Sequence, residues 1–173
     1  EWVTTIERVE GAESLATGQA LDLLVEASVK NGTAGTSPVL LLAERAVRHK
    51  EHHLGRDTLD TASSLHNLGI VRLHRGEFSS AVPPLERSLS IRTTALGRND
   101  PVVADSLDAL ALSVIRLEQF DDAAEKLREA QSTREFRSDH SPLAHAGTLE
   151  LMALRHRYTD SYSAAVPLID RAL

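Results

Sequence analysis

The sequence predicts an all-α protein built as a tandem array of helical hairpins, that is, an α-solenoid. Aromatic residues recur 42 positions apart (120 − 78 = 162 − 120 = 42), and an alanine follows each of them after three positions. Between these marks the apolar residues recur at intervals of three and four, which is typical of helices and not of strands. A repeat of this length indicates units that stack on one another and present a surface, instead of enclosing a catalytic pocket.

Five columns of residues share the 42-residue step, and we expect them to form the core. They are Phe78, Phe120 and Tyr162; Ala81, Ala123 and Ala165; Leu65, Leu107 and Leu149; Leu68, Leu110 and Met152; and Leu85, Leu127 and Ile169.

The helices follow from the apolar stripes and from the residues that interrupt them. Trp2, Ile6 and Val9 lie at helical spacing and predict a first helix within residues 1–12. Gly76 separates two stripes, where a helix end and a tight turn suit a residue with positive φ. Asp100 before Pro101 is typical of an N-cap followed by a first helical residue that needs no N–H donor. The remaining predicted helices are 16–31, 37–53, 58–75, 78–94, 101–117, 120–134, 142–158 and 162–173.

The repeats predict one solenoid, with ends that look like cuts through a longer array. Thr36 takes the aromatic place in the first complete unit, which is therefore degenerate. The expected organisation is a helix of a preceding repeat at 1–15, the degenerate repeat at 16–56, repeats at 57–98 and 99–140, and a truncated repeat at 141–173.

The composition argues against several classes of function. The formal net charge is −6, whereas general binding to nucleic acid or to an anionic membrane needs a basic face. The absence of cysteine excludes a disulfide framework, a thiolate metal site and a cysteine nucleophile. No apolar run approaches the roughly 20 residues of a spanning helix, and the N-terminus lacks a signal-peptide layout. We therefore expect a cytoplasmic, non-enzymatic protein with no cofactor.

Three segments together resemble the tetratricopeptide repeat (TPR). They are Leu65-His66-Asn67-Leu68-Gly69, Gly76-Glu77-Phe78-Ser79-Ser80-Ala81 and Leu85-Glu86-Arg87-Ser88-Leu89-Ser90-Ile91. The 42-residue spacing and the linker Leu96-Gly97-Arg98-Asn99-Asp100-Pro101 are similar to the kinesin-light-chain variety. The resemblance covers about residues 16–173. It implies a right-handed superhelix whose concave groove binds a peptide or protein segment. It also implies an interaction module of a larger signalling or regulatory protein, since bacterial arrays of this family are often attached to ATPase, protease-like or kinase domains.

The resemblance also implies which residues face the groove. The predicted groove residues are His66, Asn67, Ile70, His74, Asp108, Leu112, Arg116, Glu150, Leu154 and Arg157. Asn67 is the one residue that matches the asparagine with which the family bonds a peptide backbone. His66, Asp108 and Glu150 form an acidic-leaning row beside Ile70, Leu112 and Leu154. The complementary partner is a basic, partly apolar segment of another protein, or a neighbouring domain of the same chain.

Three alternatives remain open. The charged row can serve only to keep a helix face solvated. The array can be a structural spacer or an oligomerisation segment without a groove ligand. The remote third reading is a metal-dependent hydrolase, because His49 and His53 stand four residues apart on a helix, with His52 beside them. No His-Glu-x-x-His arrangement, phosphate loop or nucleophile elbow accompanies these histidines.

Overall fold

The structure is a computed structural model that describes residues 2–11, 14–136, 142–159 and 161–172. In these ranges every element is an α-helix, and the predicted helices are all present with ends displaced by at most two residues. The helices are α1 Trp2–Glu10, α2 Leu15–Lys30, α3 Ser37–Leu54, α4 Leu59–His74, α5 Phe78–Leu96, α6 Pro101–Arg116, α7 Phe120–Phe136, α8 Pro142–Tyr158 and α9 Tyr162–Ala172.

Capping residues and turns set where the helices begin and end. The Thr58 hydroxyl accepts the backbone N–H of Thr61 at the start of α4, and Asp100 Oδ1 accepts that of Val102 at the start of α6. These side chains satisfy N–H groups that have no partner inside the helix. After α4, Gly76 has the positive φ that the sequence predicts (74°). The sequence Ser141-Pro142 has the same cap pattern as Asp100-Pro101, but Ser141 and its neighbour His140 lie outside the described residues.

The chain forms two compact units, Glu1–Ile91 and Arg92–Leu173, with the division inside α5. In the first unit α2 packs on α3 and α3 packs on α4. Its core joins Val25 of α2, Val39 and Ala43 of α3, and Leu65 and Leu68 of α4, all buried. Gly69 lets α4 approach α5 closely, because a Cβ there would lie 2.4 Å from Leu85 Cγ.

In the second unit α6 packs on α7 and α8 packs on α9, while α8 also contacts both α6 and α7. Leu107, Leu110, Leu127 and Leu149 are each at most 2% exposed. Burial of such side chains contributes about 1.5–3 kcal/mol each.

Among the described side chains, the residues of the repeat columns are buried or half-buried, and Ile169 is the exception. The alanine column (Ala81, Ala123, Ala165) and the first leucine column are buried, and Phe78 and Phe120 are half-buried. The side chain of Tyr162 lies outside the described residues. Ile169 is 47% exposed although Leu85 and Leu127, its equivalents, are fully buried. Among the described residues, the helices are too short or too polar to span a lipid bilayer.

Candidate functional site

A continuous face of the second unit is formed by α6 and α8, which lie side by side. The Arg116 Nη1 of α6 donates to the Tyr158 hydroxyl of α8 at 3.1 Å and joins the ends of the two helices. We call this surface the α6–α8 face; its residues are Leu112, Arg116, Glu150, Leu154, Arg157 and Tyr158. Leu112 and Leu154 are half-buried, whereas the other four are exposed. Five of the predicted groove residues lie on these two helices: Leu112 and Arg116 on α6, and Glu150, Leu154 and Arg157 on α8. The last three also line a cavity beside α9.

The carboxyl end of the α6–α8 face is basic and aromatic. The Arg157 guanidinium lies 5.8 Å from the centre of the Tyr158 ring, and that ring stacks on Phe120 with centroids 6.2 Å apart. Arg155 Nε donates to the Phe120 carbonyl at 2.9 Å, which holds the aromatic pair in place. Cations at this end are favoured because the helix dipole is negative there.

Asp108, also a predicted groove residue, lies mostly inside the protein. Its side chain is 16% exposed, and Oδ2 accepts from Arg134 Nη2 and from the Thr148 hydroxyl, both at 2.9 Å. Arg134 also pairs with the more exposed Asp105 at 2.7 Å. Burial raises the pKa of Asp108 to about 6, although Arg134 and Thr148 act in the opposite direction. Asp108 thus joins α6 to α7 and α8 in this structure.

The predicted groove residues of the first unit lie along α4. His66, Asn67 and Ile70 are half-buried, and His74 is exposed at the end of the helix. Asn67 Nδ2 donates to Glu26 Oε1 of α2 at 3.4 Å. The amide that was expected to hold a peptide backbone is therefore shared with a neighbouring helix.

Sequence reasoning missed a column of buried cations at the same 42-residue step. Lys50, Arg92 and Arg134 are 4–7% exposed, and each lies in the second helix of its hairpin. The hydroxyl residues Ser64, Ser106 and Thr148 form a second buried column on the first helices. The 42-residue spacing of these basic residues could have revealed the column, but charged residues are usually expected at the surface.

The cations meet carboxylates and hydroxyls from neighbouring helices. In the first unit, Asp22 Oδ2 of α2 accepts from Lys50 Nζ of α3 at 3.0 Å and from Ser64 Oγ of α4 at 2.6 Å. In the second unit, Arg92 Nη1 donates to Ser106 Oγ at 2.7 Å. Burial lowers the pKa of Arg92, and the Asp105 and Asp100 charges oppose that shift. These contacts tie helices together in the interior.

The histidines at the end of α3 do not form a metal-binding group. His49 is 3% exposed and its ring stacks on His53 with centroids 6.4 Å apart, while His52 meets His53 edge-on at 4.8 Å. Within the described part of the chain, no three His, Asp or Glu side chains are grouped so that they could hold a metal ion.

Residues 60–135 match the sequence model of the tetratricopeptide repeat. This stretch is similar to the tetratricopeptide repeat, as the sequence predicts. Two relatives are nephrocystin-3 of Mus musculus, 35% identical over 86 residues, and nephrocystin-3 of Homo sapiens, 36% identical over 77. The matches cover 49% and 44% of this chain but about 6% of each nephrocystin-3.

Solved structures show the same TPR-like α-solenoid fold. The kinesin light chain TPR-like repeats of Podosopora anserina superpose with a TM-score of 0.73, at 20% identity, over 89% of this chain and 72% of that one. BtubC (BKLC) from P. vanneervenii superposes with a TM-score of 0.79, at 16% identity, over 90% and 61%. These neighbours confirm the α-solenoid fold that the sequence predicts. The tetratricopeptide-repeat match indicates a protein-interaction scaffold, a fold that is typically non-catalytic.

Proposed function

We propose that the α6–α8 face binds an extended or helical segment of another protein. The proposal rests on the charged residues that accompany Leu112 and Leu154 on two adjacent helices. Along α8, Leu154 follows Glu150 by four residues and precedes Arg157 by three, and along α6 Leu112 precedes Arg116 by four. The Arg116–Tyr158 hydrogen bond joins the carboxyl ends of the two helices. Such a face offers apolar contact in its centre and charge pairing at both ends.

This charge arrangement describes the segment that fits. An aliphatic residue would contact Leu112 and Leu154, a basic residue would pair with Glu150, and an acidic residue would pair with Arg116 or Arg157. The proposed segment is therefore basic and partly apolar, as expected from the sequence, and also carries an acidic residue at one end. The row His66, Ile70 and His74 of the first unit is proposed to contact the same kind of segment. No catalytic role is part of this proposal.

The experiment selects peptides from a random display library on the purified chain and measures their affinity by fluorescence anisotropy. Charge reversal at Arg116→Glu and at Glu150→Lys should each weaken binding about tenfold or more, because an attraction at one end of the segment becomes a repulsion. Asp108→Lys is not a suitable test, since it would place a second cation beside buried Arg134.

Two exposed residues of α7 provide matched controls. Glu125→Lys and Arg128→Glu make the same charge changes away from the α6–α8 face and should alter affinity by less than about twofold. If the face variants bind the selected peptides as the natural chain does, the groove assignment is wrong. Concentration-dependent self-association without peptide binding would favour the spacer or oligomerisation reading.

We infer further that the chain acts in the cytoplasm as the interaction module of a larger regulatory protein. In support, the matching stretch occupies about 6% of nephrocystin-3, so repeats of this kind occur within much longer proteins. Reading the complete gene tests this inference. A catalytic or nucleotide-binding domain in the same frame would support it, and a frame with repeats alone would contradict it.

A further inference from the structure

A small cavity lies between α7 and α8 of the second unit, and we call it the α7–α8 cavity. Its volume is about 170 Å³, and the residues that line it are Ala124, Leu127, Arg128, Met152, Arg155 and His156. The wall is therefore partly apolar and partly basic, and no aspartate or glutamate is among these lining residues. A basic wall is unexpected in a chain whose formal net charge is −6.

The α7–α8 cavity is separate from the α6–α8 face. Successive residues of an α-helix are about 100° apart around the axis, so residues two positions apart stand on nearly opposite sides. Met152 and His156 line the cavity, and they therefore lie on the side of α8 that is turned away from Glu150 and Leu154 of the face. A ligand in the cavity would not compete with a segment bound on the face.

The first unit has an ion pair at the equivalent place. Two repeats of 42 residues earlier, Arg128 and His156 correspond to Glu44 of α3 and Arg72 of α4. Arg72 Nη2 donates to Glu44 Oε1 at 3.4 Å, and both side chains are half-buried. In the first unit, the charge that one helix brings to this place is thus balanced by the charge of its neighbour.

The second unit reverses the charge of one member of this pair. Successive repeats carry Glu44, Glu86 and Arg128 at the same position, so a cation replaces the carboxylate of the two preceding repeats. Arg155 adds a further cation, since its equivalent two repeats earlier is Val71. The helix dipole favours cations only in the last turn, and Arg128 lies in the middle of α7. The cations of the cavity wall therefore lack the counter-charge that the first unit supplies.

The basic side chains keep donors that a ligand can use. Arg155 donates its Nε–H to the Phe120 carbonyl, which leaves the four N–H groups of its two terminal nitrogens. His156 Nδ1 is buried and has no hydrogen-bond partner in the described part of the chain. Arg128 is exposed to solvent, whereas Arg155 and His156 are half-buried. An anion can therefore be bound here without loss of the contact that holds Phe120.

We propose that the α7–α8 cavity binds a phosphate monoester with a short apolar stem. Near neutral pH this group carries close to two negative charges and three acceptor oxygens, which match two guanidinium groups and an imidazole better than one carboxylate does. Ala124, Leu127 and Met152 would contact the stem. Because pockets for whole small molecules measure roughly 300–1,000 Å³, the cavity suits one such group and not a complete nucleotide.

The test titrates n-butyl phosphate into the ¹⁵N-labelled chain and follows the backbone amide signals by NMR. Saturable shifts are expected for residues 124–128 and 152–156. Pentanoate, which has the same four-carbon stem but a carboxylate, should bind at least about fivefold more weakly because it carries less charge. Equal affinity for the two anions, or shifts that do not saturate at these residues, would overturn the proposal.

A phosphoserine peptide distinguishes two sources of the same chemical group. If it binds more tightly than n-butyl phosphate, the natural ligand is a phosphorylated side chain of a partner protein. If it binds more weakly, the natural ligand is a free phosphate ester. Either result supports a phosphate monoester as the occupant.

Arg128→Glu is the decisive variant, because it restores the glutamate of the preceding repeats. It should weaken binding of n-butyl phosphate at least about tenfold, since an attraction becomes a repulsion. Arg128 is exposed, so the helices should persist, which far-UV circular dichroism checks. The same variant should leave peptide binding to the α6–α8 face unchanged, which separates the two sites.

Arg48→Glu is the matched control, since it makes the same charge change at an exposed residue of α3. It should alter the affinity for n-butyl phosphate by less than about twofold. An equal loss of affinity in Arg48→Glu and Arg128→Glu would show that binding follows the net charge of the chain alone. That result, or an Arg128→Glu variant that binds the ester as the natural chain does, would contradict the proposal.

Discussion

Both units join three helices through one carboxylate that a buried cation and a hydroxyl contact, but they place that carboxylate differently. In each unit the carboxylate, on the first helix of a hairpin, accepts from a cation on the second helix and from a hydroxyl on the next hairpin. The first unit uses Lys50, Asp22 and Ser64, whereas the second uses Arg134, Asp108 and Thr148. The cations and hydroxyls share the 42-residue columns. The carboxylates do not, since Asp22 aligns with the hydroxyl column and Asp108 stands two places later.

The hairpin turns show a similar difference. Gly76 ends the α4 turn with φ of 74°, and Glu118, 42 residues later, takes the same left-handed conformation with φ of 61°. The backbone bonds match as well, since Glu77 N–H reaches the Arg72 carbonyl and Gln119 N–H reaches that of Val114, both at 2.9 Å. Helix ends of this kind prefer glycine. The two turns therefore keep the same backbone conformation, although glycine adopts it in one repeat and glutamate in the other.

The largest effect is expected from removing the cation of the first unit. Lys50→Met would leave Asp22, whose side chain is 9% exposed, without its charge partner. An uncompensated buried charge should lower the free energy of unfolding by about 3–5 kcal/mol. Urea denaturation followed by circular dichroism measures it. Arg98→Ala, which removes an exposed pair with Glu129, should cost less than about 1 kcal/mol. Equal losses of unfolding free energy in the two variants would show that the buried Lys50–Asp22 contact stabilises the protein no more than the exposed pair does.

The stability of the protein should depend on pH through Asp108, the carboxylate of the second unit. Because burial raises the pKa of Asp108 from 3.8 to about 6, the folded protein holds this proton more tightly than the unfolded chain. The resulting stability is fully present below about pH 4 and is lost as the pH rises through 6. Asp108→Asn should abolish this dependence. The variant should match the natural chain near pH 4 and exceed its stability at pH 7.5 by on the order of 3 kcal/mol.

Urea titrations at several pH values measure this difference, and the carboxyl ¹³C shift of Asp108 reports the pKa independently. A stability difference between the two proteins that stays constant from pH 4 to pH 8 would contradict the prediction. Thr148→Val serves as the control, because it removes a hydrogen bond to Asp108 but leaves the titrating group in place.

The smallest effect concerns the two turns. Glu118→Gly should raise the free energy of unfolding by about 1 kcal/mol, since glycine adopts positive φ without a steric penalty. Gly76→Ala should lower it by a similar amount for the same reason. Thermal denaturation of both variants compares them directly. If both substitutions shift the midpoint in one direction, backbone strain does not distinguish the turns.

Much of the fold could be predicted because the core obeys a simple rule. Residues such as Leu65, Leu107 and Leu149 recur at a fixed step, and burial of an apolar side chain depends mainly on which side of its helix it occupies. Glu150, Leu154 and Arg157 stand at helical spacing on α8, and their place in a binding groove stays a prediction. Asp108 stands on the same row, yet its environment depends on Arg134 and Thr148, which approach from other helices.

The sequence by itself determined the helices, their repeat and the apolar residues that hold each hairpin together, because these follow from local periodicity and from backbone capping. Only the tertiary structure decided which charges are buried and which aliphatic residues remain exposed. Lys50 and Arg134 are buried because carboxylates of neighbouring helices pair with them. Ile169 is open although its equivalents are covered. Both outcomes depend on which side chains a neighbouring helix brings into contact. The position of a residue in its own repeat does not reveal those side chains.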